Sequence, residues 1–293
     1  MVINGEARHR SGQQRSISRM STTPDASSYP LHVDEVELQR LRGQHEAWGD
    51  LASDLFARVP VRPGMRVLDL GCGPGFVTLE LARRVGSQGQ VVALDASPMW
   101  QAHLAQESQR LGITNIVPVQ ERFQAAEFAP QSFDYIYARW FWSFVPDPCR
   151  EAARVARWLA PHGVIALQDY HHEGIALTPP SRGFVAVVRG LRAMYQQHGG
   201  DAFVAAKVPA MWAAAGLRAL DYTPVVRAGG PTSAVFRWAD SFFPRYAAKL
   251  RDGGWISADE WEEFVTDWSA RRVDASALFW SPAVVTAVAV KDA

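Results

Sequence analysis

Asp69, Gly71, Gly73 and Gly75 stand at alternate positions between an apolar run, 67–70, and a segment with apolar residues at helical spacing: Phe76, Leu79, Leu81, Ala82 and Val85. The run fits a buried parallel strand, and the glycines fit a loop that opens a helix. The free N–H groups at such a helix start face whatever is bound there. A dinucleotide fingerprint reads G-x-G-x-x-G and seats a pyrophosphate, but here the spacing is Gly71-x-Gly73-x-Gly75 with a carboxylate two residues ahead. That carboxylate would repel a pyrophosphate and attract an ammonium group, such as that of a bound amino acid. A second acid, Asp95, ends the next apolar run, 91–94, where the second strand of such folds offers a carboxylate to ribose hydroxyls. An acid for an amino group and an acid for a ribose together describe S-adenosylmethionine (SAM).

The stretch 67–75 with Asp95 closely resembles motif I and the following acid of class I SAM-dependent methyltransferases. The likeness continues through 132–139, which resembles the fourth strand, through Val145-Pro146-Asp147-Pro148 ahead of a helix, and through 163–169, which resembles the fifth strand. It covers about residues 60–170, and more loosely the tail, in the manner of the quinone-biosynthesis-like small-molecule methyltransferases. The resemblance implies an α/β, doubly wound, Rossmann-like sheet of seven strands, mostly parallel with an antiparallel last strand, plus helical cap insertions. It puts Ala96, Ser97 and Met99 around the ribose and adenine, although Met99 also reads as core. The family's usual short acid followed by a small residue is replaced after the third strand by Glu121-Arg122-Phe123, where Glu121 stands in for the acid and Phe123 for the surface under the ring. The expected cofactor set is thus Asp69, Gly71, Cys72, Gly73, Gly75, Asp95, Ala96, Ser97, Met99, Glu121, Arg122, Phe123 and Arg139.

Two further clusters bear on the acceptor. Trp140, Phe141, Trp142 and Phe144 follow Arg139 where a crevice opens beyond the strand ends of such a sheet. Trp140, Trp142 and Phe144, with Tyr170, read as the floor of an apolar substrate pocket, and ordinary core packing is the competing account. The segment from Asp169 to Glu173 carries five ionisable side chains in a row. His171 or His172 is a candidate general base, with Asp169 or Glu173 orienting it; a solvated loop is the alternative. The two histidines are adjacent, so in extended chain only one can face the acceptor. Their spacing matches no metal site, and none is expected.

The elements that must carry these groups follow from periodicity. Residues 1–30 are rich in Ser, Arg, Gln and Thr and read as a disordered tail, with Met20 an alternative start. A helix is expected from Asp34 and a second from Asp50, lying over the cofactor mouth, where His45 and Trp48 either touch ligand or simply pack. Strands are expected at 116–119, 135–138, 217–226 and 283–290, and helices at 150–159, 181–198 and 201–216. The first helix after the fifth strand, 181–198, reads as a lid. The methyltransferase domain is expected over 31–293, with its core at about 60–170 and 217–293 and cap elements at about 31–59, 175–215 and 231–280. The last cap element is dense in aromatic residues and suits either a substrate cap or a dimer surface; its second helix opens with a capping box, Ser257 and Glu260.

Composition narrows the partners. The chain has 293 residues, 48% of them hydrophobic, enough for one elaborated domain. Lys+Arg and Asp+Glu are both 30, so there is no bulk basic field to hold a nucleic acid. Only Cys72 and Cys149 occur, which fits a reducing, cytoplasmic setting, and no apolar run reaches the roughly 18 residues of a membrane span. Methyl transfer from a sulfonium needs chiefly that the nucleophile be held in line with the methyl group. The reading is therefore methylation of a small apolar or aromatic metabolite, most simply at oxygen. The alternatives are transfer to N or C, or a silent SAM-binding scaffold. An RNA or protein methyltransferase fits less well, because Arg139-Trp140-Phe141-Trp142 stands where an Asn-Pro-Pro-Tyr-like motif would be.

Overall fold

The structure is a computed structural model and describes residues 33–293; the tail expected at 1–30 lies outside the described residues. In chain order the first half runs α1 (Glu35–Arg58), β1 (Arg66–Leu70), α2 (Phe76–Val85), β2 (Gln90–Asp95), α3 (Pro98–Arg110), β3 (Ile116–Gln120), β4 (Phe133–Arg139), α4 (Pro148–Trp158) and β5 (Leu159–His171). The second half runs β6 (Ala176–Thr178), α5 (Arg182–Gln197), α6 (Val208–Ala214), β7 (Arg218–Val225), β8 (Ala228–Gly229), α7 (Ala234–Asp252), α8 (Ala258–Arg271), β9 (Leu278–Trp280) and β10 (Ala283–Val290). Seven strands form one sheet in the order β3-β2-β1-β4-β5-β10-β7, and β10 runs antiparallel to both its neighbours. The order reverses direction between β1 and β4, so the strand ends there open onto a crevice. This is the Rossmann-like architecture that the sequence implies.

Three local outcomes differ from the sequence reading. The two helices expected at the start are one, because the apolar stripe continues in register through Trp48, Leu51, Ala52, Leu55 and Phe56, and Gly49 leaves space that the His45 ring fills. The helix expected over 201–216 is split into a single 3₁₀ turn and α6, whose start is set by Pro209. A second small sheet, β6-β9-β8, was not expected, since strands of two or three residues carry no readable alternation. Asp34, Ser97, Ser181 and Ser257 each accept a backbone N–H at a helix start, and Ser257 with Glu260 closes the expected capping box in both directions.

Above the crevice α1, α5, α7 and α8 pack into a cap with its own apolar centre. Trp48, Phe184, Trp238, Phe243, Tyr246, Phe264 and Trp268 are all buried within it. Most of the aromatic rings of 231–280 are thus packed inside the chain, while Trp255 and Trp261 are only partly covered. α1 is tied to the sheet through Gln168, in the centre of β5. Its Oε1 accepts from the Tyr137 hydroxyl at 2.7 Å, and its Nε2 donates to the Leu51 carbonyl at 2.9 Å and to Thr286 Oγ1 at 3.0 Å.

Gln168→Leu keeps the volume but strands three buried polar partners. The expected loss is about 2–4 kcal/mol of unfolding free energy, read by urea denaturation. A loss under about 1 kcal/mol would contradict the anchoring role.

Candidate active site

β1 delivers the glycine loop to the crevice. Gly71 lies at φ +66°, and a Cβ there would come within 2.5 Å of the Phe141 ring, so the loop and the segment after β4 are in direct contact. Gly73, at φ +53°, has open space where its side chain would be, and its N–H donates to Asp95 Oδ2 at 2.9 Å. Asp95 Oδ1 accepts from the Ser97 N–H at 2.8 Å. The β2 carboxylate is therefore fixed in orientation by two backbone donors before any ligand arrives. Gly75 is the N-cap residue of α2.

Asp69 is buried in β1. Its Oδ2 accepts from Thr78 Oγ1 at 2.6 Å, and its Oδ1 accepts from no described residue. Desolvation pushes its pKa up to about 6, against the pull of the Thr78 hydrogen bond and of Arg139. Arg139, at the end of β4, lies with its guanidinium carbon 4.6 Å from the Trp140 ring centre and its Nη2 3.1 Å from His45 Nδ1; its Nη1 is buried with no partner. An open carboxylate oxygen and an open guanidinium nitrogen therefore stand at one end of the crevice, a pair suited to a zwitterion.

The other end is aromatic. After β4 the chain is bent by Asp169, whose carboxylate accepts from the N–H groups of Phe141 at 3.0 Å, Ser143 at 3.2 Å and Tyr170 at 2.8 Å. Trp140 takes φ +52°, which costs about 1–2 kcal/mol for a residue with a Cβ, and its N–H donates to the Gln168 carbonyl at 2.9 Å. Its ring stacks on Tyr170, centres 5.8 Å apart and planes 20° apart. Phe144 stacks on Tyr195 of α5 at 5.1 Å. Loop and aromatic chamber line one cavity of about 830 Å³, roofed by α1, α5 and α7.

Most of the residues singled out in the sequence meet on this wall: Asp69, Gly71, Cys72, Gly73, Asp95, Ala96, Ser97, Glu121, Arg122, Phe123, Arg139, Trp140, Phe144, Tyr170 and His172. Phe123 turns most of its ring into the core, edge-on to Phe141 at 4.9 Å. Five of the expected cofactor, catalytic and substrate residues do not line the cavity, and neither do Glu173, His45 and Trp48. Trp142 is wholly buried and packs under the sheet against Phe123 and the α4 side. Met99 sits one position off the wall, between Pro98 and Trp100, which do line it. Gly75 is taken up in starting α2. Asp169 alternates with Tyr170 on β5, and neither Asp169 nor His171 lines the cavity. Asp169 is then no partner for a histidine: both of its oxygens are held by the backbone.

His172 is buried, and its Nδ1 has no partner among the described residues. Burial, with Arg192 nearby, pushes its pKa down to about 3, so it is neutral near pH 7. The His45 ring, stacked on Phe76 at 5.3 Å, is pushed down to about 4, by burial first and Arg139 second. Wall residues missed in the sequence include Arg40 and Gln44 of α1; Tyr195 of α5 and Trp238 and Phe242 of α7, which also line the wall, come from the expected lid and aromatic cap. Two polar residues four apart on the buried face of α1 were the available signal. Among the described residues no cluster of three metal-ligating side chains occurs, and no helix is long and apolar enough to cross a membrane.

Asp169→Asn leaves one acceptor oxygen and puts an NH₂ against a backbone donor. We expect a loss of about 2–3 kcal/mol in stability, with faster amide exchange at Phe141 and Ser143 than elsewhere in the sheet. Unchanged exchange at those two amides would show that the carboxylate does not hold the bend.

With this geometry in view, the likenesses to other proteins can be read. Residues 62–196 match the family described as a methyltransferase domain. The nocamycin O-methyltransferase of Saccharothrix syringae is 39% identical over 134 residues, 44% of this chain and 48% of that protein. The 2-phytyl-1,4-naphtoquinone methyltransferase of Thermosynechococcus vestitus is 36% identical over 143 residues, 49% of this chain and 61% of that protein. The chain thus spans about half the length of the curated relatives it matches. Among solved structures, a SAM dependent methyltransferase from Aquifex aeolicus superposes with a TM-score of 0.52 at 19% identity, covering 66% of this chain and 94% of that one, which bears on the fold. Family match, sheet order and glycine loop agree over this stretch: residues 62–196 match a methyltransferase domain and are built on a Rossmann-like sheet.

Proposed function

We propose that this domain binds SAM and transfers its methyl group to a small apolar or aromatic metabolite, at oxygen. The observation that carries the reading is the single cavity with a charged, preset end and an aromatic end. Asp69 Oδ1 takes the SAM ammonium, Arg139 Nη1 its carboxylate, and Asp95 the ribose hydroxyls, exchanging its bond from Gly73 for theirs. The adenine lies toward 121–123. The acceptor ring lies between Trp140, Tyr170 and Phe144, so catalysis is chiefly alignment. Transfer to oxygen is supported by the name of the Saccharothrix relative; transfer to N or C, or a silent SAM-binding protein, is the alternative. Two free thiols and balanced charge support a cytoplasmic protein with no nucleic-acid partner.

Cofactor binding is tested by calorimetry. Asp69→Ala removes a charge-assisted contact of roughly 1.5–3 kcal/mol, and Asp95→Ala removes the ribose bridge. The pH dependence is specific. Asp69 has its pKa raised to about 6, so below that pH it is protonated and the ammonium must displace a proton; SAM affinity should be flat above pH 7 and fall by up to about tenfold per unit below 6. Folded variants that bind SAM as the wild type does would overturn the cofactor assignment.

The base is tested by asymmetry. His172 faces the cavity and is unprotonated at neutral pH, but a pKa of about 3 makes it a base only for acidic hydroxyls, enols and electron-poor phenols. With any acceptor the wild type turns over, His172→Ala should lower kcat on the order of 10²-fold at unchanged SAM affinity, and His171→Ala should be nearly silent. Equal rates in both would leave alignment as the whole of catalysis.

A further inference from the structure

α1 buries three polar side chains on the face that its periodicity makes apolar: Glu37, Arg40 and Gln44, the last only 4% exposed. Arg40 grips Glu37 with two bonds, Nε to Oε2 at 2.9 Å and Nη2 to Oε1 at 2.7 Å. Its Nη1 donates to Gln44 Oε1 at 2.6 Å, and Trp238 Nε1 of α7 donates to that same oxygen at 3.1 Å. A guanidinium and an indole N–H can only donate, so the end of the amide between them is the oxygen and the other end is the NH₂. That nitrogen donates to no described residue, and Gln44 lines the aromatic end of the cavity beside Trp238 and Phe242. A donor on a side chain held by two anchors in the lining of a largely aromatic chamber is an unfilled hydrogen-bond site.

We infer that Gln44 Nε2 selects the methyl acceptor by hydrogen-bonding a neutral carbonyl oxygen on it. This rests on the reading of the cavity given under Proposed function. The nearby charges pair among themselves, Arg40 with Glu37 and Arg245 with Asp34 at 2.7 Å, so the group offered to the ligand is an uncharged amide. A ketone or quinone-type oxygen matches it; a carboxylate would lose more hydration than a neutral donor returns. Gln44 is then a specificity-determining residue. The acceptor class narrows to conjugated hydroxy-carbonyl compounds, whose carbonyl also acidifies the hydroxyl that His172 faces.

Three probes of one shape decide it: 1-(6-hydroxynaphthalen-2-yl)ethanone, 6-ethyl-2-naphthol and 6-hydroxy-2-naphthoic acid, each titrated by calorimetry into the full chain saturated with S-adenosylhomocysteine. The wild type should bind the ketone about tenfold more tightly than the ethyl compound, one hydrogen bond's worth, and more tightly than the acid. Gln44→Glu keeps the oxygen that Arg40 and Trp238 need and removes the donor; Gln44→Met removes both. In each the preference for the ketone should vanish while S-adenosylhomocysteine affinity stays at its wild-type value. Equal binding of ketone and ethyl compound by the wild type, binding of neither, tighter binding of the acid, or a preference that survives both variants overturns the assignment. Failure of the wild type to bind S-adenosylhomocysteine removes the cofactor reading, and this inference with it.

Discussion

Asp169 holds the two ends of the cavity together. Its buried carboxylate collects three backbone N–H groups, two from the turn after β4 and one from its own strand, and this fixes the path from Arg139 to Ser143. The Phe141 ring then meets Gly71, Trp140 meets Tyr170, and Arg139 is set beside Trp140. Desolvation outweighs the three donors and pushes the carboxyl pKa up to about 6, so the group remains ionised at neutral pH. The left-handed Trp140 is tolerated because these bonds over-determine the bend.

The charged end of the cavity is held by backbone donors. Asp95 is aimed by the N–H groups of Gly73 and Ser97, one on each carboxylate oxygen. Asp69 is the strained member. Its raised pKa means that the folded state favours the neutral carboxyl: that contribution to stability is full below the ordinary carboxylate pKa near 3.8 and is lost as pH rises through about 6.

Much of this was legible because it is local. The glycine loop, its flanking periodicity and the capping box of Ser257 with Glu260 each depend on residues within one turn of one another, and they were read correctly from order alone. What failed was parity and distance. Along 168–172 the sequence cannot say which alternate set faces the crevice, so Asp169 looked like a catalytic partner when it is a hinge for the backbone, whereas Tyr170 and His172 reach the wall. Trp142 failed for the same reason: four rings in six residues cannot all face one way. Arg40, Gln44, Tyr195, Trp238 and Phe242 come from helices far apart in the chain, and only packing brings them to one chamber.

The central claim is that one cavity takes SAM at its charged end with the reacting atom turned toward the aromatic end. Diffraction from crystals soaked with S-adenosylhomocysteine tests it most directly. The account predicts ribose hydroxyls on Asp95, with the Gly73 bond to Oδ2 released, the amino group on Asp69 Oδ1, and the sulfur facing the gap bounded by Trp140 and Tyr170. A nucleoside bound elsewhere, or bound here with its amino group away from Asp69 and its sulfur facing solvent, would contradict it.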